Sequence, residues 1–370
     1  MTAAPEALRV VVAGGGTGGH VTPALALAER IAERGDEVRL FGSRRGLEAR
    51  LVPEAGFELV ALPARQLAGR GALRRLAALP DLARACAVAR RELGAFDAQL
   101  VISVGGYAAA PAVVAAVLRR TPLALLEPNA VPGRANRAAA RFARRIFVQF
   151  EEAAHWFEAR GGRGRVGRLG IPLRRALVLA FRGAPPRRAP APPLRLLVFG
   201  GSQGAHQINE ALCEAAPRLD PAGFEIFHQT GAADRARVAA AYAATGLRAE
   251  VAAFEPDMPR RYRWADLALC RAGALTLAEL TLSGLPALLV PYPFAADDHQ
   301  AANARALARA GAARVLAPRE LEAGALAGAL AGLAAAPGRL LEMGAAAAKL
   351  ARPDAAERIV EECAALVAGS

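Results

Sequence analysis

Two glycine-rich segments contain the first residues of this chain that could handle phosphate. Gly14, Gly16 and Gly19 have the spacing G-x-G-x-x-G, and a second segment, GGSQG, occupies residues 200–204. Glycine lacks a Cβ atom, so a phosphate can approach the backbone closely. Helix-compatible sequence follows each segment, and a helix N-terminus offers unpaired N–H groups and a partial positive charge. The repetition favours a site for a phosphate or a sugar over two tight turns without a ligand.

His20 directly follows the first glycine segment. An imidazole has an ordinary pKa of about 6.5, which suits a general base near neutral pH. A polar residue near a helix start is the alternative, but a position just beyond a strand end favours a catalytic role. The other four histidines show no pairing with the spacing of metal ligands, and no C-x-x-C pair occurs. We therefore expect no metal site and no cofactor.

Two further segments combine a strand end with polar residues. CRAGALTLAE at residues 270–279 predicts a turn followed by a helix that begins at about Ala274, whose N-terminus could hold a phosphate. Glu279 could accept two hydrogen bonds from a ribose diol, although stabilisation of the helix dipole explains this residue equally well. DDHQ at residues 297–300 lacks the D-x-D spacing of metal-dependent nucleotide-sugar enzymes, and Gln300 could bind a sugar hydroxyl.

The surrounding pattern predicts the elements that position these segments. Apolar runs at residues 8–13 and 194–199 lead into the two glycine segments, and further apolar runs alternate with helical sequence. This alternation predicts an α/β protein with two doubly wound, Rossmann-like domains that face a cleft beside the carboxyl ends of their parallel strands. The further predicted strands are residues 37–41, 100–104, 123–126, 146–148, 224–227, 267–270 and 286–290.

A proline-rich segment divides the chain nearly in half. Residues 183–193 read GAPPRRAPAPP, which cannot form a helix interior or a central strand and predicts a stiff linker. We therefore predict a first domain over residues 1–180, a linker over 181–193 and a second domain over 194–352. Residues 353–370 have a helical pattern and could pack back on the first domain.

The charge of the chain favours an anionic partner. The net charge is +13, and Lys349 is the only lysine, which excludes a P-loop because that motif needs G-x-x-x-x-G-K. Residues 65–91 form a basic amphipathic stretch. This stretch predicts contact with an anionic membrane surface if the substrate is a lipid, and an ordinary helix buried on the sheet otherwise. The predicted membrane-contacting residues are Arg70, Leu73, Arg74, Leu76 and Leu79.

Six segments together closely resemble the MurG family of peptidoglycan N-acetylglucosaminyltransferases. They are GGGTGGH (14–20), VGGY (104–107), EPNAVPG (127–133), GGSQGA (200–205), CRAGALTLAE (270–279) and DDHQ (297–300), in the family's order and over nearly the whole chain. The resemblance implies a two-domain GT-B fold. It implies inverting transfer of N-acetylglucosamine from UDP-N-acetylglucosamine to the muramyl C4 hydroxyl of undecaprenyl-linked lipid I, forming lipid II without a required metal. The expected location is peripheral, on the cytoplasmic face of the bacterial inner membrane.

In the first domain, the resemblance implies a transfer site. Thr17, Gly18 and Gly19 would line it and bind UDP-N-acetylglucosamine, whereas Tyr107 would lie on the acceptor side. His20 resembles the family's candidate general base. Many relatives have a histidine where Leu126 stands, so the rival base is absent here and His20 or Glu127 remains.

On the donor side, the resemblance implies several binding residues. Asn129 and Gln300 would contact the donor sugar, whereas Arg174 and Ser202 would hold the phosphates or their surroundings. The segment that would bind the diphosphate and the ribose consists of Ala274, Leu275, Thr276, Leu277, Ala278 and Glu279, with Glu279 on the ribose. The backbone at Phe254 and Glu255 would face the uracil, although many relatives have an aliphatic residue in place of Glu255.

Three alternative functions remain open from the residues. A GT-B transferase with another lipid or aglycone acceptor is the first, and the EPN-x-V-P-G and DDHQ segments argue against it. An NADP-dependent oxidoreductase would use G-x-G-x-x-G with Arg44 and Arg45, but the second glycine segment does not fit that class. A basic nucleic-acid-binding protein would explain the net charge, but aromatic residues make up only 5% and the arginines are dispersed, so we expect no nucleic-acid partner.

Overall fold

The computed structural model describes residues 7–63, 79–201 and 204–368, and these divide into two compact units. Unit 1 contains the residues up to Ala176 together with those from Arg352 onward, and unit 2 contains Leu177–Ala351. Several predicted site positions lie outside the described residues, namely Arg70, Leu73, Arg74, Leu76 and Ser202. Leu79 is the first residue of a described helix, but its side chain lies outside the description.

Unit 1 is built on a parallel sheet. Its described strands are β1 (Arg9–Gly14), β2 (Glu37–Ser43), β3 (Leu59–Leu62), β4 (Leu100–Gly105), β5 (Leu123–Glu127), β6 (Arg145–Val148) and β7 (Val166–Gly167). They pair in the order β3-β2-β1-β4-β5-β6-β7, and every pair is parallel. The helices between them are α1 (Gly18–Glu33), α2 (Glu48–Glu54), α3 (Leu79–Ala95), α4 (Ala110–Arg119), α5 (Arg134–Ala139) and α6 (Glu151–Phe157). Helix α7 (Arg175–Phe181) follows β7, and most of its residues belong to unit 2.

The strands of unit 1 are apolar because helices cover both faces of the sheet. Val10 and Val12 belong to a core shared with α1, whereas Val11 and Ala13 belong to a core shared with α3 and α4. Alternate residues of one strand therefore enter different cores, and the strand reads as a continuous apolar run, as parallel sheets require.

Unit 2 repeats this architecture. Its described strands are β8 (Leu194–Phe199), β9 (Phe224–Gln229), β10 (Arg248–Ala252), β11 (Leu267–Cys270), β12 (Ala287–Leu289) and β13 (Ala313–Val315). They form a parallel sheet in the order β10-β9-β8-β11-β12-β13. Its helices are α8 (His206–Ala215), α9 (Arg235–Ala243), α10 (Met258–Trp264), α11 (Ala274–Ser283), α12 (His299–Arg309), α13 (Ala323–Ala334) and α14 (Pro337–Lys349).

The last helix returns to unit 1. Helix α15 (Ala355–Ala368) packs on α1, and its residues Ile359, Val360 and Cys363 join the core that contains Val10 and Val12. Its place in that core explains why a segment at the far end of the sequence belongs to unit 1.

Part of the proline-rich segment is tied to unit 2. The Arg187 guanidinium donates hydrogen bonds to the carbonyls of Tyr262, Ala265 and Ser283 at 2.5, 2.6 and 2.9 Å. These carbonyls lie at or beyond the carboxyl ends of α10 and α11, where a helix leaves backbone acceptors without intrahelical partners.

The fold class predicted from the sequence is confirmed, and the chain order of both sheets indicates where ligands bind. The order reverses between β1 and β4 in unit 1 and between β8 and β11 in unit 2. In doubly wound sheets, ligands bind beyond the carboxyl ends of the strands at such a reversal. The sequence pattern does not predict β3, β7, β10 and β13, which are the four edge strands of the two described sheets.

Candidate active site

The loop between β1 and α1 lies against the loop after β4. Gly16 has a φ of +90°, and a Cβ built on it would lie 2.6 Å from the Tyr107 ring, so only glycine fits there. The contact brings the predicted transfer-site residues of unit 1 and the predicted acceptor-side residue Tyr107 to one edge of its sheet. These residues are Thr17, Gly18, Gly19, His20 and Tyr107.

Glu48 holds this loop, although sequence analysis did not identify it. Its side chain is buried at the start of α2, with 1% of the residue exposed. One carboxylate oxygen accepts hydrogen bonds from the Ser43 N–H at 2.8 Å and the Ser43 hydroxyl at 2.6 Å. The other accepts from the Gly16 N–H at 2.9 Å, and a Cβ on Gly15 would overlap the carboxylate. Glu48 therefore joins the first glycine segment to the end of β2.

His20 has a fixed orientation at the start of α1. Its Nδ1 lies 2.9 Å from the Thr17 hydroxyl oxygen, and the half-buried ring lies beside the backbone of Gly105 and Gly106. The carboxyl ends of β1 and β4 therefore present an imidazole whose rotation is limited by a hydrogen bond. This arrangement suits a proton acceptor.

Glu127 is engaged by its own loop. It is 1% exposed, and its carboxylate accepts hydrogen bonds from the N–H groups of Asn129 and Gly133 at 3.0 and 2.8 Å. The side-chain amides of Asn129 and Asn136 donate to it at 3.4 and 2.9 Å. Burial raises the pKa of Glu127, and these hydrogen bonds oppose the rise. The carboxylate therefore shapes the EPNAVPG loop that carries Asn129.

Arg174 lies in unit 1 with an acidic partner. Its Nε donates to Glu29 of α1 at 2.6 Å, and the Arg175 N–H donates to the same carboxylate at 3.1 Å. Its predicted contact with the nucleotide phosphates therefore stays a prediction.

In unit 2, the second glycine segment packs on the end of β9. Gly204 has a φ of +76°, and a Cβ there would overlap the Thr230 carbonyl oxygen. The Asn209 side chain of α8 donates to the same carbonyl at 2.9 Å. Because Gly204 has no Cβ, its backbone can lie against the backbone of Thr230.

The N-terminus of α11 follows β11 directly. Gly273 is the N-cap and has no side chain to cover the helix end, so the first N–H groups, from Ala274, Leu275 and Thr276, face the carboxyl edge of the sheet. The remaining predicted positions of this segment, Leu277, Ala278 and Glu279, continue the helix. An anion is favoured at such a helix end.

Glu279 has a specific partner in this helix. The hydroxyl of Tyr262, a residue of α10 that is 0% exposed, donates to Glu279 Oε2 at 2.7 Å. Burial raises the pKa of Glu279 to about 7, and the hydrogen bond from Tyr262 opposes part of the rise. A carboxyl group that titrates near neutral pH is typical of functional sites.

Phe254 and Glu255 follow β10 at the same edge of the sheet. Phe254 is 60% exposed, whereas the Glu255 side chain turns back and accepts a hydrogen bond from Arg261 at 2.6 Å. The Glu255 side chain, which departs from the family pattern, is therefore hydrogen-bonded within unit 2.

Gln300 orders the loop that follows β12. Its side-chain oxygen accepts a hydrogen bond from the Tyr292 N–H at 2.9 Å. Arg271 supports the same loop by donating to the carbonyls of Val290 and Pro291, each at 3.2 Å. The DDHQ segment thus approaches the loop that precedes α11.

The described residues offer no metal cluster and no single membrane-spanning helix. Within residues 7–63, 79–201 and 204–368, no three His, Cys, Asp or Glu side chains are grouped so as to hold a metal ion. In these same ranges, no single helix has the length and apolar character needed to cross a membrane, and α13 and α14 meet that requirement only as a pair bent by 87°. Both helices contribute residues to the core of unit 2, including Leu330 and Leu340.

Two parallel sheets with glycine loops and helix N-termini at their carboxyl edges are typical of the GT-B fold. Residues 10–148 match the glycosyltransferase family 28 N-terminal domain, and residues 195–359 match the glycosyltransferase family 28 C-terminal domain. The chain belongs to glycosyltransferase family 28 and is a hexosyltransferase.

Relatives cover nearly the whole chain. One from Anaeromyxobacter sp. is 44% identical over 364 residues, covering 97% of this chain and 94% of the relative. One from Geobacter metallireducens is 42% identical over 359 residues, covering 96% and 98%. Both are named UDP-N-acetylglucosamine–N-acetylmuramyl-(pentapeptide) pyrophosphoryl-undecaprenol N-acetylglucosamine transferase. The crystal structure of MurG from Acinetobacter baumannii has a TM-score of 0.78 and 30% identity, covering 96% of this chain and 99% of its own.

These similarities confirm the resemblance to the MurG family and the assignment to the glycosyltransferases. They do not support an NADP-dependent oxidoreductase or a nucleic-acid-binding protein, because both matched domains, at residues 10–148 and 195–359, are glycosyltransferase domains. The roles of individual site residues stay predictions.

Proposed function

We propose that this chain transfers N-acetylglucosamine from UDP-N-acetylglucosamine to undecaprenyl-pyrophosphoryl-N-acetylmuramyl-pentapeptide, which is lipid I. The observation that carries the proposal is the near full-length identity of 42% and 44% to relatives named for this reaction. The reaction breaks the bond between the anomeric carbon and the β-phosphate oxygen of UDP. It forms a bond from that carbon to the C4 hydroxyl oxygen of the muramyl sugar. A single displacement inverts the anomeric centre and yields lipid II.

We assign the donor to unit 2. The diphosphate would lie at the N-terminus of α11, where the N–H groups of Ala274, Leu275 and Thr276 are directed to the sheet edge. Negative charge grows on the β-phosphate as the glycosidic bond breaks, and fixed dipoles already aimed at that position stabilise the transition state. Glu279 would accept hydrogen bonds from the ribose, and the backbone at Phe254 and Glu255 would face the uracil. Gln300 and Asn129 would contact the sugar.

We assign proton acceptance to His20. The imidazole would take the proton of the attacking C4 hydroxyl, an effect typically worth about 10²–10⁴-fold in rate. The bond with the Thr17 hydroxyl supports this role because it fixes the ring. Glu127 is the weaker candidate, since both of its carboxylate oxygens already accept hydrogen bonds from its own loop. We propose that Glu127 positions this loop.

We further propose that unit 1 contacts an anionic membrane surface as a peripheral protein on the cytoplasmic face, where a lipid-linked acceptor is accessible. A groove of about 350 Å³ lies between α4 and α5 with the turn that follows α5, and the side chains around it are mainly apolar. Val114, Leu118 and Phe142 on this groove are 42%, 61% and 46% exposed. Exposed arginines flank them, with Arg141 stacked on Phe142 at 4.6 Å. Apolar side chains with a basic border suit the headgroup region of an anionic bilayer.

Calorimetry tests the donor assignment. We expect the purified protein to bind UDP-N-acetylglucosamine more tightly than UDP-glucose, with EDTA present and NADPH as a negative control. Binding of NADPH without binding of either UDP-sugar would contradict the proposed function.

A further inference from the structure

Two consecutive residues of α10 each hold an acidic side chain at the carboxyl edge of the unit 2 sheet. Arg261 bonds to Glu255, which follows β10, and Tyr262 bonds to Glu279 of α11. Consecutive residues of a helix project about 100° apart, so one short helix reaches both neighbours. The two acidic residues belong to the two segments that we assign to the uridine half of the donor.

Tyr262 fixes the Glu279 carboxylate. Its ring is 0% exposed and packs edge-on against Phe199 of β8, with ring centroids 6.0 Å apart. A ring confined in this way places its hydroxyl at a defined point, and the 2.7 Å bond to Oε2 then sets the plane of the carboxylate. Ribose hydroxyls meet acceptor oxygens that are already oriented, which reduces the entropy lost on binding.

Arg261 fixes the turn that contains Phe254 and Glu255. Its guanidinium lies 3.5 Å from the centroid of the Phe227 ring and donates to Glu250 at 2.5 and 3.0 Å. Its Nε donates to Glu255 Oε2 at 2.6 Å, and both side chains of this pair are 10% exposed. The other Glu255 oxygen accepts from the Asp257 N–H at 2.8 Å. Arg261 therefore joins β9, β10 and the following turn.

We propose that α10 is the positioning element for the uridine half of the donor. Tyr262 orients the Glu279 carboxylate for the ribose, and Arg261 orients the backbone at Phe254 and Glu255 for the nucleobase. The inference rests on the proposed function and extends it, since neither residue touches the donor itself. Both act on donor binding and leave the chemical step at saturating donor unchanged.

Calorimetry of Tyr262→Phe with UDP and 2′-deoxy-UDP tests the ribose half of the proposal. The variant keeps the ring and removes only the hydroxyl. We expect UDP binding to weaken about tenfold, as the loss of an oriented charge-assisted hydrogen bond predicts. The variant should weaken the binding of 2′-deoxy-UDP at most about threefold, because this ligand lacks a hydroxyl that Glu279 would bind. The effects of removing the Tyr262 hydroxyl and the ribose hydroxyl are then not additive. Tyr242→Phe is the matched control, since it removes the hydroxyl of another buried tyrosine, bonded to His228 at 2.8 Å.

Arg261→Lys and Arg261→Met test the nucleobase half. Lysine keeps the charge but cannot bridge two carboxylates and stack on Phe227 at once. Both variants should reduce the preference for UDP over CDP about fivefold or more, a change that about 1 kcal/mol in differential binding produces. Arg195→Met is the control, because Arg195 pairs with Asp266 at 2.8 Å near the amino ends of the strands in the same sheet. It should alter thermal stability and leave the UDP/CDP ratio unchanged.

The possible outcomes distinguish failure of this proposal from failure of the proposed function. Equal weakening of UDP and 2′-deoxy-UDP by Tyr262→Phe would overturn the proposal, as would unchanged binding of both or an unchanged UDP/CDP ratio in both Arg261 variants. A fall in kcat at saturating donor without a rise in donor KM would also overturn it. If the unaltered protein itself bound no UDP, the proposed function would fail first.

Discussion

Folding and ligand binding favour different protonation states of Glu279. Its pKa in the folded protein is about 7, against an ordinary value of 4.5, because burial disfavours the charged form. Folding therefore favours the protonated group. The stability it contributes is fully present below about pH 4.5 and is lost as the pH rises through about 7. At pH 8 the protein retains a charged carboxylate at a cost to its stability.

Glu279→Gln should remove this cost. One pKa unit corresponds to about 1.4 kcal/mol. Because Glu279 keeps some contact with solvent, we expect the free energy of unfolding of the variant at pH 8 to be about 2 kcal/mol higher than that of the unaltered protein. The difference should shrink to nearly zero at pH 4.5. Chemical denaturation at both pH values measures it, with the exposed Glu342→Gln as control. The variant should also bind UDP-N-acetylglucosamine more weakly at pH 8, and a less stable variant at that pH would contradict the account.

His20→Ala should separate catalysis from donor binding. Removal of the proposed base should lower kcat by about 10²-fold or more, while the Kd for UDP-N-acetylglucosamine changes less than threefold, because His20 lies in unit 1 and the donor is assigned mainly to unit 2. His155→Ala is the matched control, since His155 lies on α6 with a side chain that is 69% exposed. Near-normal turnover of His20→Ala would remove His20 from the mechanism.

Residue types that lie together in the sequence could be identified without a structure. Gly16 and His20 stand beside each other in one segment, and the structure places both at the sheet edge. Glu48 and Tyr262 could not be identified, because their bonds to Gly16 and Glu279 span 32 and 17 residues of the chain. Residues so far apart in the sequence are brought together only by the tertiary fold, so no local sequence pattern reveals these pairs.

At the scale of elements, α2 joins two strand ends through Glu48. Glu48→Gln would place an amide N–H₂ against one of the donors from Ser43 or Gly16, which leaves buried polar groups unsatisfied. We expect a loss of about 1–3 kcal/mol in stability and reduced transfer with little change in UDP binding. Glu54→Gln on the same helix is the control, since the Glu54 side chain is 55% exposed. Equal stability of the two variants would show that Glu48 does not hold the glycine loop.

The predictability of an element followed its place in the sheet. Central strands are mainly apolar, β4 is buried along its whole length, and the sequence pattern predicts all of them. The missed strands have one unpaired edge, and β7 and β13 span only two and three residues. β10 contains Arg248 and Glu250 and none of its residues is fully buried. Such edge strands form because they pair with a neighbouring strand, and their amino-acid composition alone does not predict them.

At the scale of the whole molecule, the proposed membrane surface requires apolar exposure on one unit. The double variant Leu118→Ser, Phe142→Ser should reduce binding to vesicles that contain anionic lipid about tenfold or more, since each change removes roughly 1–2 kcal/mol of apolar burial. Leu341→Ser is the control, because Leu341 is 38% exposed on α14 of unit 2. Cosedimentation measures the difference, and equal binding by all variants would exclude the groove as the membrane contact.

The most direct test of the central claim is a transfer assay with defined substrates. The purified protein is incubated with labelled UDP-N-acetylglucosamine and a lipid I analogue, and the glycolipid product is separated and its new linkage determined. We expect one N-acetylglucosamine joined in the inverted configuration to the muramyl C4 oxygen, with UDP released in equal amount. Transfer to other lipid acceptors but not to the muramyl lipid would contradict the claim.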